Sequence, residues 1–320
     1  MPQNLSKLLL LLSSQLGLGG LIFATLFIVV VVITTTAVVM ITPAKGQTDE
    51  FNVYKFDNNG NFILGWGSRG AGPNQFYHAH GIAIDSSGNV YVSDQGNFQS
   101  QIPHPDAIPH ISKFTSDGKF ITKWGSENIN SNNNSNNNTT TGAATATAGG
   151  TLLDKPWGVA VDSSGNILVT DKGRNMAFKF TRDGKYLQTL VQTGPADGQL
   201  QHPHGIAFDS SGNFYIADQV HGNVQKFSPD GKFLLKFGSE GRGDGPFFHR
   251  PHGVAVDSSG NIFVADSGNH RIEKFSPNGT LIKSWGHFKD PHDIKIDASG
   301  NVYLINTTYD DVAGAANPTD

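Results

Sequence analysis

Short apolar runs separated by tight polar turns make up most of the chain. Near the carboxyl end, the apolar runs 254–256 and 262–265 flank the turn Asp257-Ser258-Ser259-Gly260. Apolar runs of this length, bounded by Asp, Ser and Gly, are typical of β-strands. Because alternation with polar residues is weak in both runs, we expect each strand to be covered on both faces.

The same pattern recurs along the chain. The leading Asp of the turn recurs at positions 85, 162, 209, 257 and 297. A second unit has Lys-Phe ending at positions 56, 114, 180, 227 and 275, each Phe followed four residues later by Gly. Each unit predicts a pair of strands, so a full repeat predicts a four-stranded sheet. Such repeats at a period in the forties favour an all-β propeller with blades packed around an axis.

The order of the units predicts how the propeller closes. The chain from residue 51 begins with a Lys-Phe unit and ends, at residue 306, with a turn unit. We therefore expect the N- and C-terminal strands to pair in one blade, which gives five blades over residues 51–306 and leaves 307–320 as a tail. The alternative is six blades, with one hidden in residues 126–156. The polar Asn/Thr-rich composition of 126–153 favours a disordered insertion instead.

The amino-terminal segment, residues 1–46, is strongly apolar. Residues 19–41 carry no charged side chain, and this uncharged stretch is long enough for a membrane-spanning helix. A cleaved signal peptide is the alternative, but the apolar tract 8–41 exceeds the roughly 7–15 residues of a signal-peptide core. Lys7, the one charge before the tract, favours an extracytoplasmic location for the rest at the cell membrane. If the segment is cleaved, the protein is secreted.

Composition narrows the function classes. The net charge of −4 disfavours nucleic acid as a partner, because phosphate binding needs a basic surface. The chain has no cysteine, so neither disulfides nor thiolate chemistry are available to it.

Repeated polar residues are predicted to gather at one opening of the central channel, on the face that carries the long loops. The first inward-facing position of each repeat holds His80, Trp157, His204, His252 and His292. Fourteen residues later, on the same face, stand Asp94, Asp171, Asp218 and Asp266. Further candidates for this face are His78, His202, His249, Arg174 and Arg271.

Converging histidines are the ligands that zinc prefers, so His80, His204, His252 and His292 are candidate metal ligands. The simpler alternative is that each His packs beside the repeated Gly. The four aspartates are explained more simply as turn formers that accept backbone hydrogen bonds, and the arginines as solvated side chains.

The stretch from Pro251 through Ile272 resembles the NHL repeat, and the resemblance extends over 51–306. It implies a β-propeller, usually of six blades. The repeats with Pro-His-Gly are similar to those of peptidyl-α-hydroxyglycine α-amidating lyases, which implies a catalytic zinc on those histidines and a nearby calcium. Two functions therefore stand as hypotheses: a platform that binds a protein or small ligand on the His-lined face, and a zinc-dependent lyase or other metal-dependent hydrolase.

Overall fold

In the computed structural model, the described residues fold into β-sheets whose strands are mostly antiparallel. The structure describes residues 29–33, 37–41, 53–57, 62–96, 108–125, 152–243, 245–297 and 300–306. The described residues contain no α-helix, only a short 3-10 turn at Ser267–Asn269. The predicted all-β class and its four-stranded sheets are confirmed.

The strands follow one another as short meanders. The first sheet contains β1 (Val29–Ile33), β2 (Ala37–Ile41), β3 (Val53–Asp57) and β4 (Phe62–Trp66). After the parallel pair β5 (Ser68–Arg69) and β6 (Gln75–Phe76), the second contains β7 (Ala79–Ile84), β8 (Val90–Asp94), β9 (His110–Phe114) and β10 (Phe120–Trp124). The third contains β11 (Pro156–Val161), β12 (Ile167–Asp171), β13 (Met176–Phe180), β14 (Tyr186–Thr193) and the short β15 (Gln199–Leu200).

The remaining strands repeat this arrangement. The fourth sheet contains β16 (Pro203–Phe208), β17 (Phe214–Asp218), β18 (Asn223–Phe227) and β19 (Phe233–Phe237). The parallel pair β20 (Ser239–Glu240) and β21 (Phe247–Phe248) leads to the fifth, with β22 (Pro251–Val256), β23 (Ile262–Asp266), β24 (Arg271–Phe275) and β25 (Leu281–Trp285). A last, two-stranded sheet contains β26 (Pro291–Ile296) and β27 (Val302–Asn306).

The repeated Asp fixes the tight turn between the first two strands of a sheet. In the second sheet, Asp85 Oδ1 accepts hydrogen bonds from the backbone N–H groups of Ser87 and Asn89, both at 2.9 Å. Gly88 has φ +82°, in the left-handed region that favours glycine. The turn is therefore specified by residue type, and it returns the chain without a long loop.

The core lies between neighbouring sheets. Ala83 and Tyr91 of the second sheet share one buried cluster with Val159 and Ile167 of the third. The next cluster joins the third sheet to the fourth, and another joins the fourth to the fifth. The third and fourth sheets are therefore apolar on both faces, as the weak alternation of apolar and polar residues predicts.

The two ends of the chain differ from the prediction. In the structure β2 lies beside β3, whereas β27 pairs with β26. The sixth sheet thus comes from the terminal unit, and the four strands of the first sheet include residues 29–33 and 37–41. The run 29–41 is rich in Val, Ile and Thr, whose branched side chains suit a strand.

The predicted membrane helix over residues 19–41 is therefore not seen where the structure describes this tract; the rest of the tract lies outside the described residues. No helix within the described ranges is long and apolar enough to cross a membrane.

The predicted insertion ends earlier than residue 153. Leu153 is fully buried and belongs to the cluster between the second and third sheets, and Leu152 packs against that cluster. Their apolar side chains make them part of the core. Residues 126–151 lie outside the described residues, as do 1–28 and 307–320.

Candidate functional site

The innermost strands of the sheets approach one another closely, because four of them, β7, β11, β16 and β22, carry a glycine as their third residue, facing the next sheet: Gly81, Gly158, Gly205 and Gly253. A Cβ on Gly158 would lie 2.5 Å from the backbone oxygen of His204, and one on Gly205 would lie 2.6 Å from that of His252. Neither contact leaves room for a methyl group. The repeated glycine is therefore required for packing. It lets successive inner strands come close together, and with them the residues that precede the glycines.

Hydroxyl groups fasten the second sheet to the third, and the third to the fourth. Ser93 Oγ accepts from Gly81 N–H at 2.8 Å and donates to the carbonyl oxygen of Trp157 at 2.7 Å. In the third sheet, Thr170 Oγ1 accepts from Gly158 N–H at 2.8 Å and donates to the carbonyl of His204 at 2.5 Å. Each hydroxyl thus fixes the backbone of the axial residue in the following sheet.

The predicted convergence of the axial residues is observed. We call this set the axial cluster: His80, Trp157, His204, His252 and His292. Trp157 stacks between the rings of His80 and His204, with centroid distances of 3.8 and 4.3 Å. The ring of His252 lies 4.4 Å from that of His204 and 4.4 Å from that of His292.

Burial makes the imidazoles of the axial cluster poor bases. It lowers the pKa of His80, His204 and His252 well below the usual value for histidine, and the positive charge of Lys172 acts in the same direction. The pKa of His292 is also lowered, mainly by burial, although Asp290 and Asp293 oppose the shift. These rings are therefore neutral at pH 7.

The axial cluster as folded does not fit a metal ion. A zinc site needs about three nitrogen or oxygen donors directed at one point, whereas these rings contact one another mainly through their faces and edges. Among the described residues no group of three or more His, Asp or Glu side chains is arranged to hold a metal. One feature favours a ligand all the same: both ring nitrogens of His204, only 2% exposed, lack a hydrogen-bond partner within the protein.

The four repeated aspartates hold neighbouring loops in place by accepting backbone hydrogen bonds. All four are fully buried, at the ends of β8, β12, β17 and β23. Asp171 accepts backbone hydrogen bonds from Asp154, Lys155, Gly173 and Arg174, at 2.7–3.0 Å. Asp94, Asp218 and Asp266 likewise accept from the loop before their own sheet. These contacts agree with the structural alternative, in which the aspartates accept backbone hydrogen bonds.

The other candidates on this face separate into different environments. His202 approaches the axial cluster, with its ring 5.1 Å from that of His204. His78 bonds the carbonyl of Gly96, and His249 bonds Arg242. His78 and His249 thus make loop contacts, whereas His202 lies beside the axial cluster.

The arginines differ as well. Arg174 is half-buried in the loop between β12 and β13, where its backbone N–H binds Asp171. Arg271 is not the solvated side chain expected: it is 9% exposed and pairs with Asp266 at 3.1 Å and Glu273 at 3.2 Å. Burial of Glu273 raises its pKa to about 7. Arg271 therefore supports the core beside Gly243 and Gly245, whose carbonyl oxygens accept hydrogen bonds from its guanidinium.

A cavity of about 410 Å³ opens beside the axial cluster, between the third and fourth sheets. We call it the mouth cavity; it is lined by Asp154, Lys155, Lys172, Gly173, Asn175, Gln201, His202 and Val220. Its wall is tied across the two sheets, since His202 N–H donates to Asn175 Oδ1 at 2.7 Å. Both of these residues have positive φ, 63° and 57°, an uncommon conformation that is often found at functional sites.

Lys172 joins the mouth cavity to the axial cluster. Its Nζ lies 3.8 Å from the ring centroid of Trp157, and its backbone N–H donates to the carbonyl of Lys155. Within the described part of the chain, no carboxylate lies within ion-pair distance of its Nζ. Burial, together with the charge of Lys155, lowers the pKa of Lys172 to about 7.

The repeat pattern did not single out Lys172 or Lys155. Lys172 follows the repeated Asp, at a position that holds Gln95, Gln219 and Ser267 in other repeats. This position lies next to the axis, and its residue type differs between repeats. That difference was the one sequence signal that could have marked Lys172 as a functional candidate.

Comparison with known proteins identifies the repeat. A sequence profile of the NHL repeat matches residues 76–99, 153–176, 200–227 and 248–275. These segments include β8, β12, β17 and β23, which lie second in four successive sheets. These four segments are thus NHL repeats, and their sheets are consistent with a β-propeller fold. No curated protein sequence matches it.

Solved structures of similar fold have diverse functions. An inactive variant of virginiamycin B lyase from Staphylococcus aureus, with quinupristin, aligns over 89% of this chain and 80% of its own, at 13% identity and a TM-score of 0.56. A nidogen/laminin complex aligns over 88% and 86%, at 19% identity and TM-score 0.54. A gluconolactonase from Xanthomonas campestris aligns over 80% and 75%, at 16% identity and TM-score 0.54. At these identities the likeness shows the fold alone.

Proposed function

We propose that this protein binds a small anionic ligand in the mouth cavity of its propeller. The observation that carries the proposal is the lining of this cavity, in which Lys155, Lys172 and His202 stand together beside the axial cluster. Lys155 and the partly protonated Lys172, against one carboxylate, Asp154, give the cavity a positive balance at pH 7. A volume of about 410 Å³ falls in the usual range for small-molecule sites, and the concave shape favours a small ligand over a protein partner.

Calorimetric titration of the full-length chain with inorganic phosphate and with pyruvate tests this proposal. We expect binding of at least one of these anions, and we expect Lys155→Ala to weaken it by about 10- to 100-fold, because a hydrogen bond to a charged group contributes about 1.5–3 kcal/mol. The matched control is Lys185→Ala, an exposed lysine in the turn between β13 and β14. If neither anion binds, or if both variants bind equally well, the proposal is wrong.

The zinc-dependent alternative has one observation in its favour, the unpartnered ring nitrogens of His204. Elemental analysis of the full-length chain and of its His204→Ala and His252→Ala variants separates the two functions. Because the histidine rings pack against one another, we expect no stoichiometric zinc. One zinc per chain, lost in both variants, would favour the metal-dependent lyase or hydrolase instead. Calcium can be measured in the same samples.

Membrane attachment through residues 19–41, and with it the extracytoplasmic location, stays a prediction. It competes with β1 and β2 for the same residues, because a chain segment cannot be a membrane helix and a pair of strands at once.

A further inference from the structure

Three properties of Lys172 distinguish it from the surface lysines of this chain. Its amine lines the mouth cavity, rests on the face of Trp157, and has no carboxylate within ion-pair distance among the described residues. Most other repeat lysines are paired: Lys179 with Asp162 at 2.9 Å, and Lys226 with Asp209 at 3.1 Å. An amine without a counterion, in a partly desolvated cavity beside a second cation, resembles the arrangement that activates lysine nucleophiles.

We infer that Lys172 is a nucleophilic amine that forms a Schiff base with an anionic aldehyde or ketone bound in the mouth cavity. This inference rests on the proposed function and deepens it, because it adds a carbonyl group to the anionic ligand. The lysine Nζ would meet the carbonyl carbon, and Lys155, on the same wall, would meet the carboxylate or phosphate.

The reaction is balanced without an added oxidant or reductant. The lone pair of Nζ attacks the carbonyl carbon and forms a C–N bond, the C=O double bond becomes a single bond, and one of the two amine protons passes to the oxygen. The amine then loses a second proton as the oxygen leaves, so that one water molecule is released and a C=N bond remains. His202 stands in the same cavity with Nδ1 bonded to Gln219 Oε1, which leaves Nε2 as an acceptor for an amine proton.

The charges around Lys172 act in opposite directions. Burial and the ammonium of Lys155 disfavour its charged form, whereas the carboxylate of Asp171 favours it. The face of Trp157 also favours the cation. Asp154 lies on the same wall, and burial lowers the pKa of His202, so that this imidazole adds no positive charge at pH 7. The net result is a pKa of about 7 for Lys172, which leaves much of the amine unprotonated at neutral pH.

Reductive trapping tests the inference. The full-length chain is incubated with pyridoxal 5′-phosphate, an aldehyde that carries a phosphate, then reduced with borohydride and mapped by peptide mass spectrometry. We expect Lys172 to be modified at least about tenfold faster than the exposed Lys185, because an ordinary lysine near pKa 10.4 is almost fully protonated at pH 7.5. The rate at Lys172 should reach half its maximum near pH 7 and stay high at higher pH.

Two variants keep the test decisive. Lys172→Arg should remove the adduct while the chain stays folded, as checked by its melting temperature. Lys155→Ala should move the midpoint of the pH profile upward, because it removes the neighbouring charge that lowers the pKa of Lys172. A structural role alone would not move this midpoint. Modification of Lys172 no faster than that of Lys185 would overturn the inference.

The two proposals fail in different ways. If phosphate binds by calorimetry but Lys172 forms no adduct, the Schiff base is wrong and the binding function stands. If neither phosphate nor pyruvate binds and no selective adduct forms, both are wrong.

Discussion

At the scale of single residues, a missing side chain positions the axial cluster. Gly158 has an ordinary backbone conformation, so conformational freedom does not explain it. Space does, because a Cβ would lie 2.5 Å from the carbonyl oxygen of His204 and 2.8 Å from Thr170 Oγ1. In the last sheet the equivalent position is Asp293, so the requirement holds where another inner strand packs against the glycine.

Substitution of this glycine should therefore destabilise the protein. We expect Gly158→Ala to reduce the free energy of unfolding by about 1–3 kcal/mol, since overpacking against fixed backbone cannot be relieved by a rotamer change. Urea titration measures the difference.

The matched control is Gly72→Ala. Its added Cβ would meet only the end of the flexible Gln75 side chain, 2.8 Å away, so we expect a change within about 0.5 kcal/mol. Equal effects of the two substitutions would contradict the packing argument.

Residue chemistry was predictable from the sequence where it repeats. Each of the four repeated aspartates stands 14 residues after an axial position, and the structure brings the axial residues together and gives the aspartates backbone partners. Lys172 was missed because other repeats have Gln or Ser at its position, so that no repeated residue type marks it. Arg271 was misjudged because the repeat pattern does not show that Asp266 and Glu273 are buried beside it and pair with its guanidinium.

At the scale of elements, the apolar segment 29–41 illustrates an ambiguity that composition cannot resolve. A run of Val, Ile and Thr satisfies the length of a membrane helix and also the preferences of a strand. The structure places β2 beside β3, in register from Ala37 opposite Asp57 to Ile41 opposite Val53.

Deletion of residues 1–46 distinguishes the two. Because the deletion removes the two strands that complete the first sheet, we expect a lower melting temperature than that of the full-length chain. Differential scanning calorimetry measures the shift. An unchanged melting temperature, together with a full-length chain that sediments with membranes, would instead support a membrane anchor and the predicted pairing of the chain ends.

At the scale of the whole molecule, the two faces of the propeller differ in how much sequence they carry. The turn from Asp85 to Asn89 and its repeats are short and nearly invariant, whereas the long connections join β8 to β9 and β10 to β11. The mouth cavity lies on this second face, between loops that the repeated aspartates hold in place. Periodicity predicts the sheets and the face, but it does not predict the cavity, because the cavity depends on residues that differ between repeats.

The fastening of the inner strands by glycines and hydroxyls has an evolutionary corollary. Since Thr170 and Gly158 hold the backbone at His204 without using its imidazole, the side chain there can be exchanged while the scaffold stays intact. Trp157 shows that this position accepts a different side chain, since the other four repeats have histidine there. At Trp157 and His204, whose backbone carbonyls are held by Ser93 and Thr170, the lining of the channel is thus open to new chemistry by point substitution while the frame stays the same.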